Sequence, residues 1–338
     1  MDIKELLTYV VERSGSDLHL SSNMPPMYRV DGDLMRFEGA DPIPGNKLLK
    51  MLETIVPDKL LPTIEDHDLD FSLALPGIAR YRVNIFQQMH GVSAVFRIIP
   101  LAIPTLESLG MPPILKKLCD LPNGIILITG PTGSGKTTTL TSMIDYINQT
   151  KPCHILTIED PIEFVHQSKL SLIQQREVHQ HTISFNGALR SALREDPDVI
   201  LVGEMRDTET IRLALTAAET GHLVFATLHT SSAPKTISRI VDVFPTGEKE
   251  LVRTMLAESL QAIIAQNLVK RKKGGRVAVL EILLSNPAVR NLIRENKASQ
   301  LESVLQTGHR LGMRSHEQSM KELIAAGIID PTKTTEIK

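Results

Sequence analysis

Cysteine is nearly missing from this chain. Its 338 residues hold only Cys119 and Cys153, which excludes a disulfide scaffold and a four-thiolate zinc site; two buried or half-buried thiols are expected. Tryptophan is absent and aromatic residues make up 4%, so stacking platforms for nucleic-acid bases are scarce. Neither sign of charge dominates: 37 Lys and Arg stand against 39 Asp and Glu, for a net charge of −2. Nothing therefore draws the whole molecule toward nucleic acid or an acidic bilayer. No apolar run approaches the roughly 18 residues of a membrane span, and Met1-Asp-Ile-Lys-Glu5 lacks the plan of a signal peptide. A soluble, intracellular protein is expected, with a length that suggests two domains.

What is present is a phosphate-binding pattern. Gly130-Pro131-Thr132-Gly133-Ser134-Gly135-Lys136-Thr137 satisfies G-x-x-x-x-G-K-[ST] in full. Glycines let the backbone curl until its N–H groups point inward at phosphate oxygens, and the helix that follows adds the positive end of its dipole. Lys136 can reach the β- and γ-phosphates, and the Thr137 hydroxyl can ligate Mg²⁺. The octet follows an apolar run, Gly124 to Thr129, which reads as a buried strand. It precedes Thr138 to Asn148, where Leu140, Met143, Ile144 and Ile147 recur at helical spacing. Strand, loop and helix is the order the motif needs, and ATP with Mg²⁺ is the expected ligand.

Residues 1–100 read as a separate α+β unit. Ile3, Leu6, Leu7 and Val10 share a helical face, and strands are expected near 17–20, 26–30, 34–37, 70–75, 79–89 and 92–99, with a second helix over 47–56. Asp31-Gly32 is a hairpin signal. A Pro-rich connector is expected over 101–115, with a hinge near Pro100 to Pro113, and an ATPase domain over 116–338. There, short apolar runs at 154–158, 199–202 and 223–228 alternate with helical patterns at 186–194 and 208–220, the signature of an α/β core with a mainly parallel sheet whose ligands sit at the carboxyl ends of the strands. From about Gly247 a helical tail is expected, enclosing one more strand, Arg276 to Leu284.

Three further patterns bear on chemistry. Asp198-Val-Ile-Leu-Val-Gly-Glu204 is an apolar strand ending in an acid, the place where a P-loop ATPase keeps the carboxylate that organises Mg²⁺ or attacking water. Ile158-Glu-Asp-Pro-Ile-Glu163 ends the preceding strand with three carboxylates; one of them could polarise water, and repulsion would keep a proton on another only if they are buried together. The same stretch also reads as a solvated acidic turn. His222 and His229 flank the next strand, one at each end, as γ-phosphate sensors or as satisfied structural side chains. Lys270-Arg-Lys-Lys273 with Arg276 is a dense basic cluster, either a solvated loop or a nucleic-acid patch.

Together these segments resemble a known family. The octet from Gly130, the stretches Ile155 to Phe164, Ile200 to Asp207 and Ala218 to His229 are similar, in order and spacing, to the Walker A, Asp box, Walker B and His box of the secretion-superfamily ATPases. Ala288-Val-Arg-Asn-Leu-Ile293 is similar to a C-terminal signature of the branch that retracts type IV pili, with Val289 in place of the usual Ile. Thr137 stands where many relatives have Ser; both supply the hydroxyl.

The resemblance implies a RecA-like P-loop NTPase core, a smaller PAS-like N-terminal α+β domain and a helical C-terminal region. It implies a hexameric ATPase that powers pilus retraction, in which Glu163 activates water, Lys136 and Glu204 support catalysis, Thr137 and Glu204 hold Mg²⁺, and His222 and His229 lie near the γ-phosphate beside the loop residues Gly130 to Thr138. Arginines from the smaller domain would cross toward the phosphates, and Arg80, Arg82 and Arg97 are the candidates. Its implied place is cytoplasmic, peripheral to the inner membrane, with a membrane platform protein and pilus machinery as partners and no nucleic acid. An accessory paralogous ATPase shares all these motifs, a nucleic-acid translocase would need a basic groove, and an ATP-bound scaffold would have lost Lys136, Glu163 or Glu204. The apolar stripe Val289, Leu292 and Ile293 either packs on the domain or presents a docking surface.

Overall fold

The computed structural model describes residues 2–64, 68–99 and 102–331. These form two compact units, one ending at Ala102 and one beginning at Ile103.

In the first unit, strands β1 (Asp17–Ser21), β2 (Met27–Val30), β3 (Asp33–Arg36), β4 (Leu69–Leu75), β5 (Ala79–Gln88) and β6 (Gly91–Ile99) make a six-stranded sheet in the order β3-β2-β1-β6-β5-β4, every pair antiparallel. Asp31 and Gly32, with φ of 49° and 98°, form the tight turn between β2 and β3 that needs left-handed backbone at both positions. Alternation sends Leu18, Leu20, Tyr81, Val83, Ile85 and Phe96 into the core. There they meet the buried stripes of the helices Ile3–Glu12 and Gly45–Glu53. The first helix starts on a capping box between Asp2 and Glu5.

Of the expected connector, Pro100 and Leu101 lie outside the described residues. From Ile103 onward the segment belongs to the second unit: Leu106 is buried in its core, and the Pro104 carbonyl accepts a hydrogen bond from Ser142 Oγ at 2.7 Å.

The second unit is built on a seven-stranded sheet of β7 (Gly124–Thr129), β8 (His154–Glu159), β9 (Leu172–Glu177), β10 (Val199–Val202), β11 (Leu223–Leu228), β12 (Leu260–Lys270) and β13 (Arg276–Leu284), in the order β13-β12-β7-β11-β10-β8-β9. All pairs are parallel except β12 with β13. The sheet is covered on both faces, which is why its central strands are apolar throughout. On β7, Ile126 and Ile128 pack against the helices Ile114–Cys119 and Lys136–Thr150. Ile125 and Leu127 pack against helices that include Thr208–Glu219 and Lys249–Ser259.

Two expectations change here. The region after Gly247 is not a helical tail around one strand, because β12 joins β13 as a hairpin that extends the sheet beside β7. The run Leu260-Gln-Ala-Ile-Ile-Ala is apolar enough for a buried helix or a buried strand, and periodicity cannot separate them. The stripe on the helix Pro287–Arg294 is core: Val289 and Ile293 are 0% and 1% exposed and Leu292 packs against the same cluster, so its apolar face is spent on the domain and is not a docking surface. The basic cluster forms the exposed tip of the β12–β13 hairpin. Among the described residues no helix is long and apolar enough to cross a membrane.

Candidate nucleotide site

The loop after β7 stands at the carboxyl end of the parallel strands, where such sheets bind their ligands. Gly130, Gly133 and Gly135 have φ of 145°, 79° and 84°, which L side chains rarely adopt. At Gly130 a Cβ would also lie 2.2 Å from the Gln266 carbonyl oxygen, so only glycine fits. Pro131, Thr132 and Gly133 form the exposed rim, Ser134 is buried, and Thr137 and Thr138 are half-buried in the first turn of the helix Lys136–Thr150.

Lys136 is 9% exposed and folds back onto its own loop, with Nζ donating to the carbonyls of Gly130 (2.7 Å) and Pro131 (3.1 Å). Burial pushes its pKa below the ordinary lysine value, while the carboxylates of Glu204 and Glu163 pull it back up. No ion pair reaches this ammonium among the described residues. A buried cation faced by neutral carbonyls has room for an anionic partner, and Ser134 Oγ beside it is buried without a hydrogen-bond partner. These features fit a phosphate chain.

The acids stand opposite the loop. Glu204 follows β10, with Oε1 3.0 Å from His229 Nε2 and Oε2 2.7 Å from Arg206 Nη2. His229 follows β11, the strand between β7 and β10. The acidic turn after β8 is not uniformly solvated. Glu159 is buried and accepts from Thr157 Oγ1 at 2.6 Å and Gln175 Nε2 at 3.1 Å. Its carboxyl is pushed up to about 7, first by burial and then by the charges of Glu163 and Glu177, against those hydrogen bonds. Glu163, half-buried on the following loop, is left as the acid of this turn within electrostatic reach of Lys136. The hard oxygen donors of Thr137, in the first turn of the helix after the phosphate loop, and of Glu204, just after β10, are of the kind that suits Mg²⁺.

Residues 1–329 match the family model described as Type II/IV secretion system protein. The chain belongs to this family. Among relatives of the secretion ATPase, the type IV pilus retraction ATPase PilT of Pseudomonas aeruginosa is 56% identical over 99% of this chain and 98% of its own length. A twitching motility protein of Neisseria gonorrhoeae is 59% identical over 90% of this chain and 82% of its own. A crystal structure of the pilus retraction motor PilT with bound ADP superposes with a TM-score of 0.90 at 46% identity, covering 100% of this chain and 97% of that one.

Not every expected residue of this secretion ATPase reaches the loop. His222 precedes β11, and because Leu223 pairs with Gly124 and Leu228 with Thr129, it lies a full strand length away, about 20 Å. Its Nδ1 sits 2.9 Å from the Ala217 carbonyl. The expectation of two phosphate-side histidines is therefore corrected to His229 alone within one chain, since a parallel strand carries only one end to the ligand edge. In the first unit, Arg82 and Arg97 are direct cross-strand partners and Arg80 lies opposite Ile99. Arg82 pairs with Asp70 at 2.7 Å and Arg97 with Asp17 at 3.0 Å, whereas Arg80 makes no ion pair among the described residues and its Nε is buried without a partner.

Sequence reasoning missed Gln266, on β12. Its Nε2 donates to the Ser134 carbonyl (2.7 Å) and its Oε1 accepts from Thr139 Oγ1 (2.8 Å). An amide inside an apolar strand was the available signal, because a buried amide is costly unless its hydrogen bonds are made. Arg206, two residues beyond Glu204, was missed as well.

Proposed function

We propose that this protein is a hexameric ATPase that hydrolyses ATP with Mg²⁺ to power the retraction of type IV pili and twitching motility. The observation that carries the reading is the near full-length likeness to PilT on a chain whose buried Lys136 has Glu204 and Glu163 within electrostatic reach and, among the described residues, no ion pair. In this reading Lys136 and the loop N–H groups grip the phosphates. Glu163 takes a proton from the attacking water, and Glu204, oriented by His229 and Arg206, supports it. Mg²⁺, when held by Thr137 and Glu204, neutralises phosphate charge. In the ring, an arginine of the N-terminal domain of a neighbouring copy completes the charge stabilisation; Arg80 is favoured, because Arg82 and Arg97 already have carboxylate partners.

The unit over 1–100 is PAS-like and the second unit, a RecA-like ATPase, takes in most of the segment read from the chain as a linker over 101–115, since it begins at Ile103. Loss of the γ-phosphate frees the short junction near Pro100 and converts hydrolysis into domain motion. The motor works in the cytoplasm against a platform protein of the inner membrane. The test is gene deletion with complementation. Wild-type protein should restore twitching, whereas Lys136→Ala and Glu163→Gln should leave cells hyperpiliated and non-motile. Normal twitching in the deletion strain would assign the protein to another machine. ATPase activity stimulated by DNA would favour a translocase.

A further inference from the structure

Glu163 sits on an irregular loop, yet the residues on either side of it are pinned. The Ile162 N–H donates to Glu177 Oε2 at 3.0 Å. Beyond Glu163, the amide of Gln175 makes three bonds: Nε2 donates to the Phe164 carbonyl at 2.9 Å and to Glu159 Oε1 at 3.1 Å, and Oε1 accepts from the His166 N–H at 2.8 Å. Ile162 and Phe164 are both 7% exposed, so their side chains anchor the loop while the half-buried Glu163 between them projects from it. The far end of the loop is tied separately to the P-loop helix, where Asn148 bonds Lys169 N–H and the Gln167 carbonyl and Lys169 pairs with Asp145.

The arrangement follows from register. Thr157 pairs with Gln175 and Glu159 with Glu177 across β8 and β9, so all four side chains share one face of the sheet edge, directly under the loop. A glutamine suits the position because its planar amide offers a donor for Phe164 and Glu159 and an acceptor for His166 in one group, which neither a carboxylate nor a hydrocarbon does.

We propose that Gln175 is a positioning residue for Glu163, the amide that fixes the loop so that this carboxylate meets the attacking water. The proposal rests on the reading of Glu163 as the proton acceptor. Gln175 touches no substrate. It acts through geometry, and a displacement of about 1 Å in a reacting group is enough to lose on the order of 100-fold in rate. ATP binding is left alone, because the phosphate grip belongs to the loop after β7.

The experiment is steady-state ATP hydrolysis and ATP binding by the purified hexamer carrying Gln175→Met, Gln175→Glu, Glu163→Gln, and Gln175→Met with Glu163→Gln. Gln175→Met should lower kcat by about 10- to 100-fold with KM and Kd for ATP within about threefold of wild type and an unchanged melting temperature. The double variant should be no slower than Glu163→Gln alone, because a positioning residue has nothing left to position. Gln175→Glu, which keeps the acceptor and loses the donors, should be slow as well, and adding Glu159→Gln, which returns a donor to that pair, should recover part of the rate. A Gln175→Met hexamer with normal kcat, or one whose loss multiplies that of Glu163→Gln, overturns the proposal. So does unfolding of both Gln175 variants, which would assign the residue to the fold. If Glu163→Gln turns over at the wild-type rate while Gln175→Met is slow, it is the reading of Glu163 that fails.

Discussion

Replacing Gln266 by methionine should weaken ATP binding without stopping the chemistry. The side chain keeps its length and loses both ends of a bridge between β12 and the phosphate loop, the bond to the Ser134 carbonyl at 2.7 Å and the bond from Thr139 Oγ1 at 2.8 Å. The two losses differ. Thr139 sits one turn into its helix and its hydroxyl can turn to the Gly135 carbonyl four residues back, so its share is recoverable. The Ser134 carbonyl is buried, and an abandoned buried acceptor costs about 1–3 kcal/mol. Most of this should fall on the ligand-bound loop, whose N–H groups must all stay turned inward. An intermediate value of about 2 kcal/mol corresponds to roughly 30-fold in Kd. Titration of a fluorescent ATP analogue in a Glu163→Gln background would read binding free of hydrolysis, and kcat at saturating ATP should remain within about threefold of wild type. A folded Gln266→Met protein that binds ATP within twofold of wild type would refute the argument and make Gln266 a bystander of the fold.

Glu159→Gln should stabilise the protein at alkaline pH. With the native carboxyl raised to about 7 from 4.5, folding holds a proton that the unfolded chain releases. The penalty is absent below pH 4.5, grows between the two values and reaches about 3 kcal/mol above pH 7. The variant should therefore match wild type in calorimetric stability near pH 4.5 and exceed it at pH 8; the reverse order at pH 8 would show that folding does not raise this carboxyl. His229→Ala, by removing the 3.0 Å contact to Glu204, should reduce ATP turnover at least tenfold, whereas His222→Ala should change kcat by less than about threefold and cost about 1 kcal/mol in stability for its bond to Ala217. Equal turnover defects would return His222 to the site. Ile293→Ser should lower unfolding free energy by about 3 kcal/mol in urea titration, from lost burial and a hydroxyl placed in the core; a variant of wild-type stability that fails in retraction would restore the docking reading of that helix.

The N-terminal sheet, the turn at Asp31-Gly32 and the strands β7, β8, β10 and β11 were legible because alternation, left-handed turn chemistry and short apolar runs are local properties of the chain. The phosphate loop was legible for the same reason. Its glycines, Lys136 and Thr137 are contiguous, and what each must do is set within one strand, one loop and one helix. The strands β9 and β12 were not, since a polar edge strand and a uniformly apolar run lack the period that separates strand from helix. Nor could local pattern tell which end of β11 faces the ligand. His222 and His229 carry the same chemistry in the sequence, and the parallel register with β7 sends one toward the loop and the other to the far edge. The supports of the site are further still from local reading. Gln266 meets Ser134 and Gln175 meets Phe164 only once the sheet order β12-β7 and the pairing of β8 with β9 exist, because a side-chain amide finds its partners through space, and which backbone groups a strand brings within reach of it is decided by the neighbours the strand acquires on folding.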